Sequence, residues 1–248
     1  NNSSNESIEI LNDNIKTMRL IENFKSNYIL EYIDASTPGN ALSKNLSGVG
    51  YSRKIGMDFS LKYSKEDTIM HCLDADTIVS KEYLAKITDS YRKNKIRALI
   101  VDFKHQSNSN KVKDKHIRSY ERFLKKTAKD IRIAGSPYGY VSLGPTITCL
   151  AETYAKIGGM VNKKATEDFY FLQKIRKFTS IYFLDKKLVF PSSRLSERVH
   201  LGTGFRMKEL IKGESVEKLY YSKKSFKILK VSISGILSMY GENLSVLK

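Results

Sequence analysis

Two spacings of apolar residues alternate along this chain. Ile8, Leu11, Ile15, Met18 and Ile21–Phe24 recur every three or four positions and predict a helix. The short run Tyr28–Asp34 (YILEYID) then reads as a strand. Helical spacing returns from Ser47 to Tyr63, with Ser47 as its N-cap. Thr68–Leu73 (TIMHCL) is a predicted strand that ends at Asp74, and Ser80 is placed to cap a helix carrying Leu84, Ile87 and Tyr91. Arg97–Phe103 (RALIVDF) is the next strand. Ile117, Tyr120, Leu124, Thr127 and Ile131 form one face of a long basic helix. Thr146–Ala151 (TITCLA) reads as a strand, and Glu152–Gly158 as a short helix ended by Gly158-Gly159. Thr166 can cap a helix with Phe169, Leu172 and Ile175 on one face, and Ser180–Leu184 and Lys187–Phe190 are two further strands.

Gly and Pro cluster at Ser36–Asn40, Ala134–Pro145 and His200–Phe205, which read as loops. Strands alternating with helices predict an α/β fold, with a mostly parallel sheet covered on both faces. Ligands in such sheets bind beyond the carboxyl ends of the strands, where Asp74 and Asp76 lie.

Composition narrows the partners. Of 248 residues 41% are hydrophobic, enough for a core. Lys and Arg number 43 against 26 Asp and Glu, a net charge of +17, which suits nucleotide phosphates, nucleic acid or an acidic membrane face. No recognition helix or RNA-binding motif accompanies the charge, so no nucleic-acid partner is expected. Cys72 and Cys149 sit in apolar runs and read as buried thiols of a reducing, cytoplasmic compartment. No signal peptide opens the chain, and no apolar run reaches the length of a bilayer span. Ile228–Leu244 is amphipathic and reads as a packing helix or a membrane-surface helix. The chain starts at Asn1 without an initiator Met, as a fragment or a processed protein would.

Three groups carry candidate chemistry. Asp74 and Asp76, one residue apart at a turn, are hard oxygen donors suited to Mg²⁺ or Mn²⁺; the same residues also suit a plain turn or a phospho-acceptor. Glu167 and Asp168 open a helix, either as acids favoured by its dipole or as a general base with its companion. Arg194, Arg198, His200 and Arg206 surround a glycine-rich stretch; the arginines suit phosphate oxygens, and His200 is a candidate third metal ligand or a hydrogen-bonded structural residue.

The order of these elements resembles the family 2 glycosyltransferases. In that family a G-x-x-x-A-R-N-x-G helix precedes a strand ending in L-D-A-D; here Ser52-Arg53-Lys54-x-Gly56 and Leu73-Asp74-Ala75-Asp76 take those places. GPTITCLAETYAKIGGM and ATEDFYFLQKI look like the family's strand and helix before a G-G turn, and its E-D motif. The resemblance implies a GT-A-like, Rossmann-like three-layer fold over residues 1–206, followed by a helical extension over 207–248. It implies a single-sugar transfer from a UDP, GDP or dTDP sugar to a glycan or lipid-linked acceptor, as in bacterial polysaccharide biosynthesis. Asp76 is then the main ligand of Mn²⁺ or Mg²⁺, with His200 as a further one, and Asp74 contacts the ribose or the metal's water shell. Asp168 is the base of an inverting displacement, Glu167 positions the acceptor, and Arg53 or Lys54, Arg198 and Arg206 lie near the donor. The alternative is a degenerate domain that binds a partner or a membrane face without catalysis. The family's P-x-x-N-E turn has no counterpart here, and Asn1–Ser4 resembles the end of its D-D-G-S element, so the chain reads as beginning after the first two strands. Without Trp there is no Q-x-x-R-W motif of the processive synthases; Gln173-x-x-Arg176 shares a helix with Asp168.

Overall fold

The computed structural model describes residues 7–195 and 202–239. The chain divides into two compact units: Asn1–Lys65 with Gly158–Glu167, and Glu66–Ile157 with Asp168–Lys248.

In the first unit, helix α1 (Ile8–Glu22) starts at Ser7, whose hydroxyl accepts from the Ile10 N–H at 3.4 Å. Helix α2 (Val49–Ser60) runs on into a 3₁₀ turn, Leu61–Tyr63. Its cap position is held by Gly48, not Ser47; the Ser47 hydroxyl instead donates to the Lys44 carbonyl at 3.3 Å. The expected strand at Tyr28–Asp34 is not formed, because no described strand pairs with it and an apolar run without a ladder partner remains irregular. This segment lies beside α2, and the two enclose a cavity of about 520 Å³ lined by Ile29, Ile33, Ile55, Phe59 and Tyr63. The Ser36–Asn40 turn is tied by Asp34, which accepts from the Ser36 and Thr37 backbone N–H groups at 3.0 and 3.1 Å and from Asn40 Nδ2 at 2.9 Å. Desolvation pushes the Asp34 carboxyl up, but these hydrogen bonds prevail and hold it below the usual carboxylate range.

The second unit holds one five-stranded sheet in the order β1-β4-β3-β5-β2, with β1 Ile69–His71, β2 Ile78–Val79, β3 Ala98–Phe103, β4 Ile147–Leu150 and β5 Tyr182–Phe190. The expected α/β class is present, but the sheet, expected to be mostly parallel, is mixed. Strands β1, β3 and β5 share a direction, but β4 is inserted antiparallel between β1 and β3. Neighbouring strands are therefore mostly antiparallel, and β3 with β5 is the parallel pair. The two short strands expected at Ser180–Leu184 and Lys187–Phe190 form one continuous β5, with a register shift opposite Val101–Phe103.

Every residue of β3 is buried, as a strand covered on both faces must be. Leu99 and Val101 pack against Ile87 and Tyr91 of α3 (Tyr83–Asn94), while Asp102 turns to α4 (Lys111–Ile133) and takes Lys125 Nζ at 2.5 Å. The inner stripe of α3 is Tyr83, Ile87 and Tyr91; Leu84, expected inside, falls one position round the helix and is exposed. Helix α5 (Ala151–Lys156) ends at Gly158 and Gly159, both in the left-handed region with φ 72° and 68°. Helix α6 (Glu167–Phe178) buries Phe171, Leu172 and Ile175 and leaves Phe169 more exposed than its spacing predicted.

Thr203–Phe205, expected in a loop, opens helix α7 (Thr203–Ile211). Residue 206, the expected end of the catalytic region, thus falls within a helix, whose Met207 and Leu210 join Ile117, Tyr120 and Val216 in a core cluster with α4. Helix α8 (Lys223–Met239) follows. Cys72 and Cys149 are buried and not joined in a disulfide, and burial pushes the Cys149 thiol up to about 12.

Candidate active site

The turn after β1 carries Asp74 and Asp76. Its backbone closes with the Thr77 N–H donating to the Asp74 carbonyl at 2.9 Å, and β2 then pairs with the end of β5, Ile78 against Phe190. Gln106 fastens the turn from the other side: its Nε2 donates to the Asp76 carbonyl at 2.8 Å and to the Phe190 carbonyl at 2.9 Å. Its backbone N–H donates to the Pro191 carbonyl at 2.9 Å. One amide thus sets the Asp76 backbone against the strand end that leads to Arg194, whose Nε meets Asp76 Oδ2 at 2.7 Å. The Thr77 hydroxyl beside them is buried without a hydrogen-bond partner.

Gln106 is itself held by a buried network one residue upstream. His105 Nδ1 lies 3.0 Å from Glu121 Oε1, and the His105 backbone N–H also donates to that oxygen. A carboxylate only accepts, so a neutral His105 carries its proton on Nδ1, and its Nε2 accepts from Thr203 Oγ1 at 3.2 Å. Arg118 completes the set with bonds of 2.9 Å to both Glu121 oxygens and 2.7 Å to the His105 carbonyl. Burial pushes the Glu121 carboxyl up; the hydrogen bonds from His105 and Arg118 outweigh it, and the net shift is downward.

Through Thr203 this network anchors the first residue of α7, which carries Arg206 one turn later. Arg206 and Asp168 both act on Tyr120: burial raises its phenol, Arg206 lowers it, and Asp168 raises it further. Tyr120 thus feels the charges of two residues of the second unit, Asp168 and Arg206, that stand 38 residues apart in sequence. Asp168 Oδ1 also accepts from the Phe169 N–H at 2.7 Å. Tyr120 and Gln106 were missed by the sequence reading; Tyr120 looked like core, and nothing in a single Gln marks a brace.

Glu167 and Arg53 belong to the first unit and meet there. Arg53 Nη1 lies 3.1 Å from Glu167 Oε1, with the side chains 10% and 7% exposed. Arg53 is thus no solvated helix charge; Lys54, half-buried beside it, pairs with Asp58 at 2.7 Å. Gly50 makes the Arg53–Glu167 approach possible. A Cβ there would sit 2.3 Å from the Lys163 carbonyl oxygen and 2.9 Å from Glu167 Cβ, whereas one on Gly56 would meet nothing within 4 Å. Thr166, just before the pair, has φ 63°, a costly conformation for a β-branched residue, and its hydroxyl turns back to the Ala165 carbonyl at 2.5 Å rather than capping α6. Arg198 and His200 lie outside the described residues.

Among the described residues, no three His, Cys, Asp or Glu side chains converge as a metal-binding set. Two carboxylates and an orphaned hydroxyl still fit Mg²⁺ or Mn²⁺, which commonly take one or two protein carboxylates and complete their shell with water and substrate phosphates.

No protein-family model matches the chain, and no curated protein matches it. Among solved structures it is similar to S. aureus TarS 1–349, with a TM-score of 0.42 and 19% identity over 61% of this chain and 42% of that one. S. aureus TarS 1–349 in complex with UDP-GlcNAc gives 0.45 and 19% over 76% and 52%. The chain thus spans about half the length of these structures, and the functional reading rests on its own residues.

Proposed function

We infer that the chain is the catalytic part of a metal-dependent glycosyltransferase of the family 2 type. It moves one sugar from a UDP, GDP or dTDP sugar to a glycan or lipid-linked acceptor, at the cytoplasmic face of a membrane. The observation that carries the reading is the Asp74–Thr77 turn. Its Asp76 already holds a cation, the guanidinium of a 62% exposed arginine, beside a buried hydroxyl without a partner. Asp74 and Asp76 would hold Mn²⁺ or Mg²⁺ there, and the ion would neutralise charge on the leaving diphosphate. Arg194 is then free to turn from Asp76 to phosphate oxygens.

Asp168 takes the proton of the acceptor hydroxyl as that oxygen bonds to the anomeric carbon. The carbon–oxygen bond to the diphosphate breaks, and the diphosphate leaves with the electron pair, inverting the centre. Arg206, whose charge acts on Tyr120 as that of Asp168 does, would add positive charge for the donor phosphates. Glu167, neutralised by Arg53, shapes the start of α6 from which Asp168 projects.

Thermal-shift titrations with UDP, GDP and dTDP sugars, with and without Mn²⁺, test donor binding, and donor consumption tests turnover. The expected result is a Mn²⁺-dependent shift for one donor, lost in Asp76→Asn, and a fall in kcat of about 10²–10⁴ in Asp168→Asn. Full turnover in both variants refutes the site.

A further inference from the structure

Helix α8 has two apolar stripes. Phe226, Leu229, Ile233 and Leu237, spaced by three, four and four residues, are half-buried. From this stripe Ile233 approaches Gly135 just beyond α4, and Phe226 meets the ring of Tyr221, just before the helix, edge-on at 6.2 Å. Ile228, Val231, Gly235 and Met239 repeat the same spacing on another side of the helix. There Ile228, Val231 and Met239 are 57%, 72% and 84% exposed, and a Cβ on Gly235 would meet nothing within 4 Å. A core explains the first stripe and leaves the second uncovered.

The polar setting of the second stripe names its partner. Lys223, Lys224, Lys227 and Lys230 stand on α8, and Tyr220–Met239 contains no Asp or Glu. A protein surface that covers so basic a helix would have to supply acids in register. A bilayer rich in anionic lipid supplies both the negative surface and the apolar layer beneath it, and lysine stems reach from the apolar boundary to the headgroups. Among the described residues no helix is long and apolar enough to cross a membrane, so α8 can meet a bilayer only along its side.

We propose that α8 is an in-plane membrane anchor, which inserts Ile228, Val231 and Met239 among the acyl-chain ends of an anionic leaflet while Lys223, Lys224, Lys227 and Lys230 hold lipid phosphates. This rests only on the membrane half of the functional reading, and its test needs neither donor nor acceptor.

The test is co-sedimentation of the chain with phosphatidylcholine vesicles, with and without phosphatidylglycerol. The double variant Ile228→Glu/Val231→Glu is compared with Ile8→Glu/Leu20→Glu, which makes the same charge change on exposed residues of α1. Wild type is expected to bind only the anionic vesicles, each lysine contributing roughly fivefold. The α8 variant is expected to lose at least tenfold more affinity than the α1 variant, with an unchanged circular dichroism spectrum, because both side chains already face solvent. Equal loss in the two variants overturns the proposal, since charge alone then accounts for binding. So does equal binding to neutral vesicles. A wild-type dimer in sedimentation equilibrium that the α8 variant dissociates, with vesicle binding intact, assigns the stripe to a second copy and also overturns it.

Discussion

Replacing Arg53 by Met isolates what the buried ion pair does. The substitution keeps most of the side-chain volume and removes the charge 3.1 Å from Glu167, whose side chain is 7% exposed. Breaking a buried pair from one side typically costs about 3–5 kcal/mol. Arg53→Lys keeps a charge but loses the planar fork, and should fall between Met and wild type. The double variant Arg53→Met/Glu167→Gln removes both charges of the pair and should recover much of the loss, a coupling on the order of 2 kcal/mol. Urea unfolding at pH 7, with the slope held common, measures all four proteins. A loss below about 1 kcal/mol, typical of exposed pairs, would refute the argument that this pair is dry and structural.

Three further outcomes follow from the packing. Gly50→Ala must push back the Lys163 carbonyl, which a Cβ would approach to 2.3 Å; about 1–3 kcal/mol of stability should be lost in thermal unfolding, against little change for Gly56→Ala. Gln106→Leu removes both bonds to the Asp76 and Phe190 carbonyls, and should weaken Mn²⁺ binding, read by electron paramagnetic resonance of the free ion, by roughly 10- to 100-fold while the protein stays folded. Glu121 is held below its ordinary value of 4.5, so its contribution is fully present above that pH and fades as the pH drops through the lower folded value. The stability gap between wild type and Glu121→Gln should therefore be flat above pH 4.5 and narrow beneath it in urea titrations.

Local signals carried far where the pattern was long. The 23 residues of α4 place Ile117 and Tyr120 inward as their spacing demands, and the Asp pair follows β1 as a strand-end turn should. They failed where a second segment had to agree. Tyr28–Asp34 has the composition of a strand, but a strand exists only with a partner, and no described strand takes it. Ser180–Phe190 reads as two runs, yet β3 pairs along its length and makes one strand through Asp185 and Lys186.

The sequence by itself determined the alternation of helices and strands, the charge surplus, and which acids stand at element ends, because these depend on neighbours within one turn or one pleat. Only the tertiary structure decided what those acids face. Arg53 lies 114 residues from Glu167 and reaches it because Gly50 lets α2 close on the Lys163 backbone. Gln106 became the brace of Asp76 through a bond between segments 30 residues apart in the chain. A burial pattern records that a residue is inside; it carries no record of which distant charge or carbonyl it meets there, because that is set by how the layers pack.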